Sequence, residues 1–186
     1  ELDGLEAGFQ ETGEIVLRAI RGAVDALRTQ DVELCDEVIA FDDEIDGRYL
    51  ALEKQVEMTL ARQTPVAGDL RLVLAVLHSA LHLERVGDQC VTIAKLTKLS
   101  SHLGTQHAVV ESLVDMGERC AEMVKVALTA FATRDVALAR RLLAELEARA
   151  AFAGYRRIVL ETGLRQPEAI ALYESSGYRP IPDFGF

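Results

Sequence analysis

Residues 42–46 read Asp-Asp-Glu-Ile-Asp, residues 61–71 read Ala-Arg-Gln-Thr-Pro-Val-Ala-Gly-Asp-Leu-Arg, and residues 84–88 read Glu-Arg-Val-Gly-Asp. Reading these three stretches together decides the fold. Thr64-Pro65 stops a helix, because proline disfavours helical backbone at the residue before it and suits a helix start itself. Asp42 and Asp46 lie 23 and 19 residues before Pro65, and Glu84 and Asp88 lie 19 and 23 residues after it. Two antiparallel helices folded at Pro65 therefore set Asp42 beside Asp88 and Asp46 beside Glu84. A four-residue spacing keeps each pair on one helical face.

Four gathered carboxylates repel one another unless a cation or protons neutralise them. Four hard oxygen donors suit Mg, Ca, Mn or Fe, with water completing the shell. A plainer alternative is a solvated acidic surface, with Glu84 paired to Arg85 or Arg48. Glu14 is a candidate further ligand: it lies 16 residues before Gln30, and Asp46 lies 16 after it. His78 and His82 are four apart and one turn from Glu84, a spacing that fits a polar role better than a metal site.

The rest of the chain reads as helix. Apolar residues recur with helical period over 5–29, at Ile15, Val16, Ala19, Ile20, Ala23, Val24 and Leu27. Asp31 is a good N-cap for a second helix to about Arg62. Its inward residues are Leu34, Val38, Ile39, Phe41, Ile45, Tyr49, Leu50, Leu52 and Val56. A third helix runs from about Val66 to Leu99, a turn spans Ser100–Thr105, a fourth helix covers 107–132, and a fifth starts at Asp135. A shift of 104 residues superposes Gly13-Glu14 on Gly117-Glu118, Ala23 on Ala127, Thr29 on Thr133, Asp31-Val32 on Asp135-Val136, and Leu34 on Leu138. A three-helix unit thus begins a second time. The second copy lacks the acids: Asp42 maps to Leu146 and Asp46 to Ala150. From Tyr155 to Thr162 the pattern alternates like a strand, Gln166–Ser176 reads as a short helix ended by Gly177, and Tyr178–Phe186 as an extended tail.

Composition bounds the function. The chain has 186 residues, is 49% hydrophobic and only 5% aromatic, and carries a net charge of −10. Such a charge opposes nonspecific binding to nucleic acid. Cys35, Cys90 and Cys120 lack metal-site spacing and fall at apolar-periodic positions, so buried free thiols are expected. No apolar run reaches membrane-spanning length.

The quoted blocks, in this order and spacing, resemble the PhoU phosphate-transport accessory regulators over residues 1–103, and residues 107–145 resemble the start of that family's second repeat. The resemblance implies a mainly α fold. Its parts are an antiparallel three-helix bundle at 1–104 and a partial second repeat of two helices at 105–150; the alternation and short helix read above add a small β-α-β tail at 151–186. It implies a cytoplasmic, non-enzymatic regulator of phosphate uptake at the inner face of the membrane. Its partners would be a phosphate ABC transporter and a membrane sensor histidine kinase. It also implies a metal (iron, manganese or zinc) on Asp42, Asp46, Glu84 and Asp88.

Without a sixth helix, apolar faces of helices four and five are expected to invite a homodimer or to be covered by the tail. Residues 141–186, with Gly154-Tyr-Arg-Arg-Ile-Val-Leu-Glu-Thr-Gly163 and Gln166–Tyr178, resemble the end of a GNAT acetyltransferase. That resemblance implies Tyr173 as a general acid. The glycine-rich pyrophosphate loop of that family is missing, so Tyr173 is expected to pack rather than to catalyse. The alternatives to a regulator are an acetyltransferase fragment with a helical regulatory half, or a composite chain without independent function.

Overall fold

The computed structural model describes residues 2–103, 107–160 and 167–182. It contains α1 (Leu2–Thr29), α2 (Val32–Gln63), α3 (Ala67–Ser100), α4 (His107–Ala132), α5 (Val136–Phe152) and α6 (Pro167–Ser175). The chain divides into two compact units, Glu1–Leu142 and Leu143–Phe186.

In the first unit α1 is the central helix. It packs on α2 and α3, which pack on each other, and on α4. Its buried residues, from Leu5 and Phe9 through Ile15, Val16, Leu17, Ala19, Ile20 and Ala23 to Ala26, leave only a narrow exposed edge. A helix that is apolar around most of its circumference can only be stable when other helices enclose it.

The 104-residue repeat is visible in the turns. Gln30 and Arg134 both take left-handed backbone, at φ 56° and 55°. Each precedes an aspartate that caps the next helix. Asp31 accepts from the amides of Glu33 (2.9 Å) and Leu34 (3.1 Å), and Asp135 accepts from Leu138 (2.8 Å). Such caps satisfy helix N–H groups that have no partner inside the helix.

The repeat also shapes the α1–α4 contact. A Cβ on Gly13 would fall 2.6 Å from the Leu128 side chain, and the Val24 side chain occupies the place of a Cβ on Gly117. Gly13 and Gly117 are one repeat apart, as are Val24 and Leu128. Each copy thus offers one notch and one knob, and the two helices interlock with approximate two-fold symmetry. Phe9 and Phe131 meet edge to face at 4.9 Å. Arg134 pairs with Glu6 at 2.5 Å, and Arg28 pairs with Glu118.

Three expectations need correction. The β-α-β tail does not form: no strand occurs among the described residues, and 155–160 is irregular. An isolated strand leaves its ladder groups without partners, and no second strand is present there to supply them. Residues 161–162, 166 and 183–186 of that reading lie outside the described residues, as does Gly104 of the turn after α3. Only the central helix of the tail is found, as α6. It ends with Gly177 at φ 93°, and Tyr178 donates back to the Tyr173 carbonyl at 3.0 Å.

Leu50 points outward at 59% exposure, because α1 and α3 cover a narrower stripe of α2 than its apolar residues span. Cys120 is exposed, whereas Cys35 and Cys90 are buried. The third helix starts where expected, at Ala67 with Val66 as its N-cap, and Pro65 lies in a turn that holds left-handed Thr64 (φ 43°) and Ala67 (φ 48°).

Candidate acidic site

Asp42 and Asp46 bracket Ile45 on α2. Glu84 and Asp88 bracket Gly87 on α3. Ile45 is only 1% exposed, and a Cβ on Gly87 would lie 2.8 Å from its Cδ1 and 3.2 Å from its Cγ2. The Ile45 side chain therefore fills the space that any larger residue at 87 would need. This close approach of the two helices lies at the level of the acids. The role of Gly87 is not evident from its helical context, since glycine weakens a helix interior by about 1 kcal/mol relative to alanine. A glycine retained inside a strongly helical segment, one residue before an acid, is the signal that could have revealed it.

The four carboxylates act on one another as the register about Pro65 requires. Asp42 is half-buried, and its carboxyl is raised above its ordinary value by burial first, then by Asp46 and Asp88, with Lys95 pulling it down. Glu84 is also half-buried and is raised by burial, then by Asp88, Asp46 and Asp42, with Arg85 opposing. Asp46 and Asp88 are exposed. Tyr49, whose hydroxyl donates to Glu53 at 3.4 Å, is raised by burial and Glu53 and also feels Glu84. The expected neutralisation of Glu84 by Arg48 does not occur: Arg48 pairs instead with Glu11 on α1 at 2.5 Å. Among the described residues, none of the four acids is in an ion pair within 4.0 Å.

The acids share a level and a field, but they do not form a closed cage. Among the described residues, no three His, Cys, Asp or Glu side chains are grouped closely enough to hold a metal ion. The arrangement is two carboxylate pairs on facing helices, carrying excess negative charge, with Asp46 and Asp88 exposed. Glu14 is exposed on α1 and is not among the charges acting on Asp42 or Glu84. His78 and His82 are exposed on α3.

In the second unit Tyr173 stacks edge to face on Tyr178 at 5.5 Å, and the Tyr178 hydroxyl donates to Glu147. Tyr173 is half-buried there.

Comparison with known proteins agrees with the first unit. Residues 9–97 match the family model described as "PhoU domain". The chain is 30% identical over 139 residues to a phosphate-specific transport system accessory protein PhoU homolog of Pseudomonas aeruginosa, covering 75% of this chain and 57% of that protein. It is 32% identical over 143 residues to a homolog from Aquifex aeolicus, covering 77% of this chain and 64% of that protein. The chain thus spans about three fifths of the length of the curated relatives it matches.

Two crystal structures share the fold. PhoU from Pseudomonas aeruginosa aligns with a TM-score of 0.69 at 26% identity, covering 91% of this chain and 82% of that one. The phosphate transport system regulatory protein PhoU from Streptococcus pneumoniae aligns with a TM-score of 0.72 at 27% identity, covering 94% and 78%. Residues 9–97 are thus similar to a PhoU domain, and the described residues are mainly helical. No helix among the described residues is long and apolar enough to cross a membrane.

Proposed function

We propose that this chain is a non-enzymatic, metal-binding regulator of phosphate uptake and phosphate-starvation signalling. The observation that carries the reading is the pairing of Asp42/Asp46 with Glu84/Asp88 across the Ile45–Gly87 contact, inside a segment that matches the PhoU domain. In this reading the chain works as a homodimer at the cytoplasmic face of the membrane. It acts on a phosphate ABC transporter and on a sensor histidine kinase.

Asp42, Asp46, Glu84 and Asp88 are the residues that would hold the ion, which we take to be iron, manganese or zinc. The ion supplies positive charge that relieves carboxylate repulsion. Water would complete the shell of an ion held there. Their spacing along the helices is already set by the backbone.

The test is genetic. In a host lacking its own accessory regulator, expressing this chain is expected to return a phosphate-starvation reporter to its off state in phosphate-rich medium. The Asp46→Ala/Glu84→Ala variant is expected to fail. A fully expressed wild-type chain that leaves the reporter unchanged would overturn the proposal.

A further inference from the structure

The second unit holds an open groove of about 1080 Å³. It is walled by the end of α5, by residues 155–160, by α6 and by residues 178–182. The sequence launches both irregular walls in the same way. Gly154 (φ 84°) follows α5, and Gly177 (φ 93°) follows α6. Tyr155 then donates back to the Ala150 carbonyl, and Tyr178 to the Tyr173 carbonyl, each at 3.0 Å. Such bonds mark a glycine C-cap. Beyond them, residues 156–160 and 179–182 make no backbone hydrogen bond among the described residues.

The two walls differ in what they can offer a partner. Successive N–H groups of an extended chain point to opposite edges, and proline has none. Pro180 and Pro182 therefore leave one edge of 179–182 without donors. Residues 156–160 contain no proline and can pair along either edge. Ile158 and Val159 are each 39% exposed, and they line the groove with Leu160, Ile170 and Ile181. β-Branched residues in this number suit a pleated surface that a neighbouring strand completes.

The groove is also marked by charge. Arg156, Arg157 and Arg179 line it, and none of them has an ion pair or hydrogen bond among the described residues. Of the two carboxylates there, Glu147 takes the Tyr178 hydroxyl and Glu174 lies on α6. In a chain of net charge −10, three unpaired arginines around one apolar groove select an acidic occupant.

We infer that this groove is a docking site for an extended, acidic segment of a partner protein, which adds as a strand along residues 156–160. Its acids lie opposite Arg156 and Arg157, and its apolar residues lie opposite Ile158, Val159 and Leu160. A second copy of the chain fits less well. Paired antiparallel about Ile158, it would set Arg156 against Leu160 and Arg157 against Val159, so no arginine would meet an acid. The inference stands apart from the acids of the first unit and does not depend on phosphate regulation.

The probe is a fluorescein-labelled peptide, Glu-Glu-Val-Ile-Val-Glu-Glu, which meets both arginines whichever way it runs. Anisotropy titration with the full chain is expected to show saturable binding. Arg156→Glu/Arg157→Glu is expected to weaken it by about tenfold or more, because each reversed charge then faces a carboxylate. Ile158→Pro and Val159→Pro remove N–H groups from opposite edges, so one of the two is expected to abolish binding with the far-UV signal unchanged. Bound peptide is also expected to slow trypsin at Arg156 and Arg157. A wild-type chain that binds no peptide overturns the inference. So does equal binding of Lys-Lys-Val-Ile-Val-Lys-Lys, or binding that survives both proline variants, which leaves only a diffuse charge attraction. A dimer that either proline variant dissociates also overturns it, and assigns the groove to a second copy.

Discussion

Gly87→Ala tests whether the acidic level is set by a close helix approach. The new methyl would sit 2.8 Å from Ile45 Cδ1 and 3.2 Å from Cγ2. Ile45 is fully packed, so it can yield only by an off-rotamer turn or by moving α2 away from α3. Overpacking of this kind costs about 1–3 kcal/mol, set against about 1 kcal/mol gained from replacing glycine inside a helix. The net is a loss of roughly 0–2 kcal/mol, which lowers Tm by up to about 8 °C in a chain of this size.

Gly47→Ala is the control. It lies on α2 one residue from Asp46, and nothing stands within 4 Å of where its Cβ would be. It keeps the propensity gain and raises Tm by about 2–4 °C. Thermal denaturation followed by circular dichroism reads both. Ile45→Val, which removes the Cδ1 atom, should make Gly87→Ala better tolerated, with a coupling of about 0.5 kcal/mol or more in the double-mutant cycle. If Gly87→Ala stabilises as much as Gly47→Ala, the two helices are not held together at this level and the reasoning fails.

Three further outcomes follow from the same structure. Asp42 and Glu84 are raised by burial and by neighbouring acids, so their contribution is fully present below the ordinary carboxylate range and lost as pH rises through the raised values. Asp42→Asn and Glu84→Gln should therefore raise Tm at pH 7 in chelator, and the gain should vanish near pH 4; a lower Tm at pH 7 would contradict this. Phe9→Ala removes a ring that is 4% exposed and meets Phe131, and should cost about 3–5 kcal/mol in denaturant unfolding. Limited trypsin digestion should cut first at Arg156 or Arg157, in the exposed irregular segment after α5, leaving the helices of the first unit intact by mass spectrometry.

Much of the first unit was legible because helical period and stop signals are local. The Pro65 break gave the antiparallel order of α2 and α3 and hence the level of the four acids. The 104-residue shift anticipated the paired Asp31 and Asp135 caps. What escaped was set by packing between elements. Gly87 matters only because Ile45 lies opposite it. Leu50 and Cys120 have core-like periodicity but no neighbour to cover them. Residues 155–160 alternate like a strand, yet alternation records a preference for a pleated surface, and a strand also needs a partner.

The most direct measurement of the central claim is a calorimetric titration of metal-free protein with Mn2+, Fe2+ or Zn2+ beside the Asp42→Asn/Glu84→Gln variant. The account expects saturable binding to the wild-type chain and loss of that binding in the variant, with the helical signal unchanged. Binding that the variant retains, or a wild-type chain that binds none of the three ions, would contradict it.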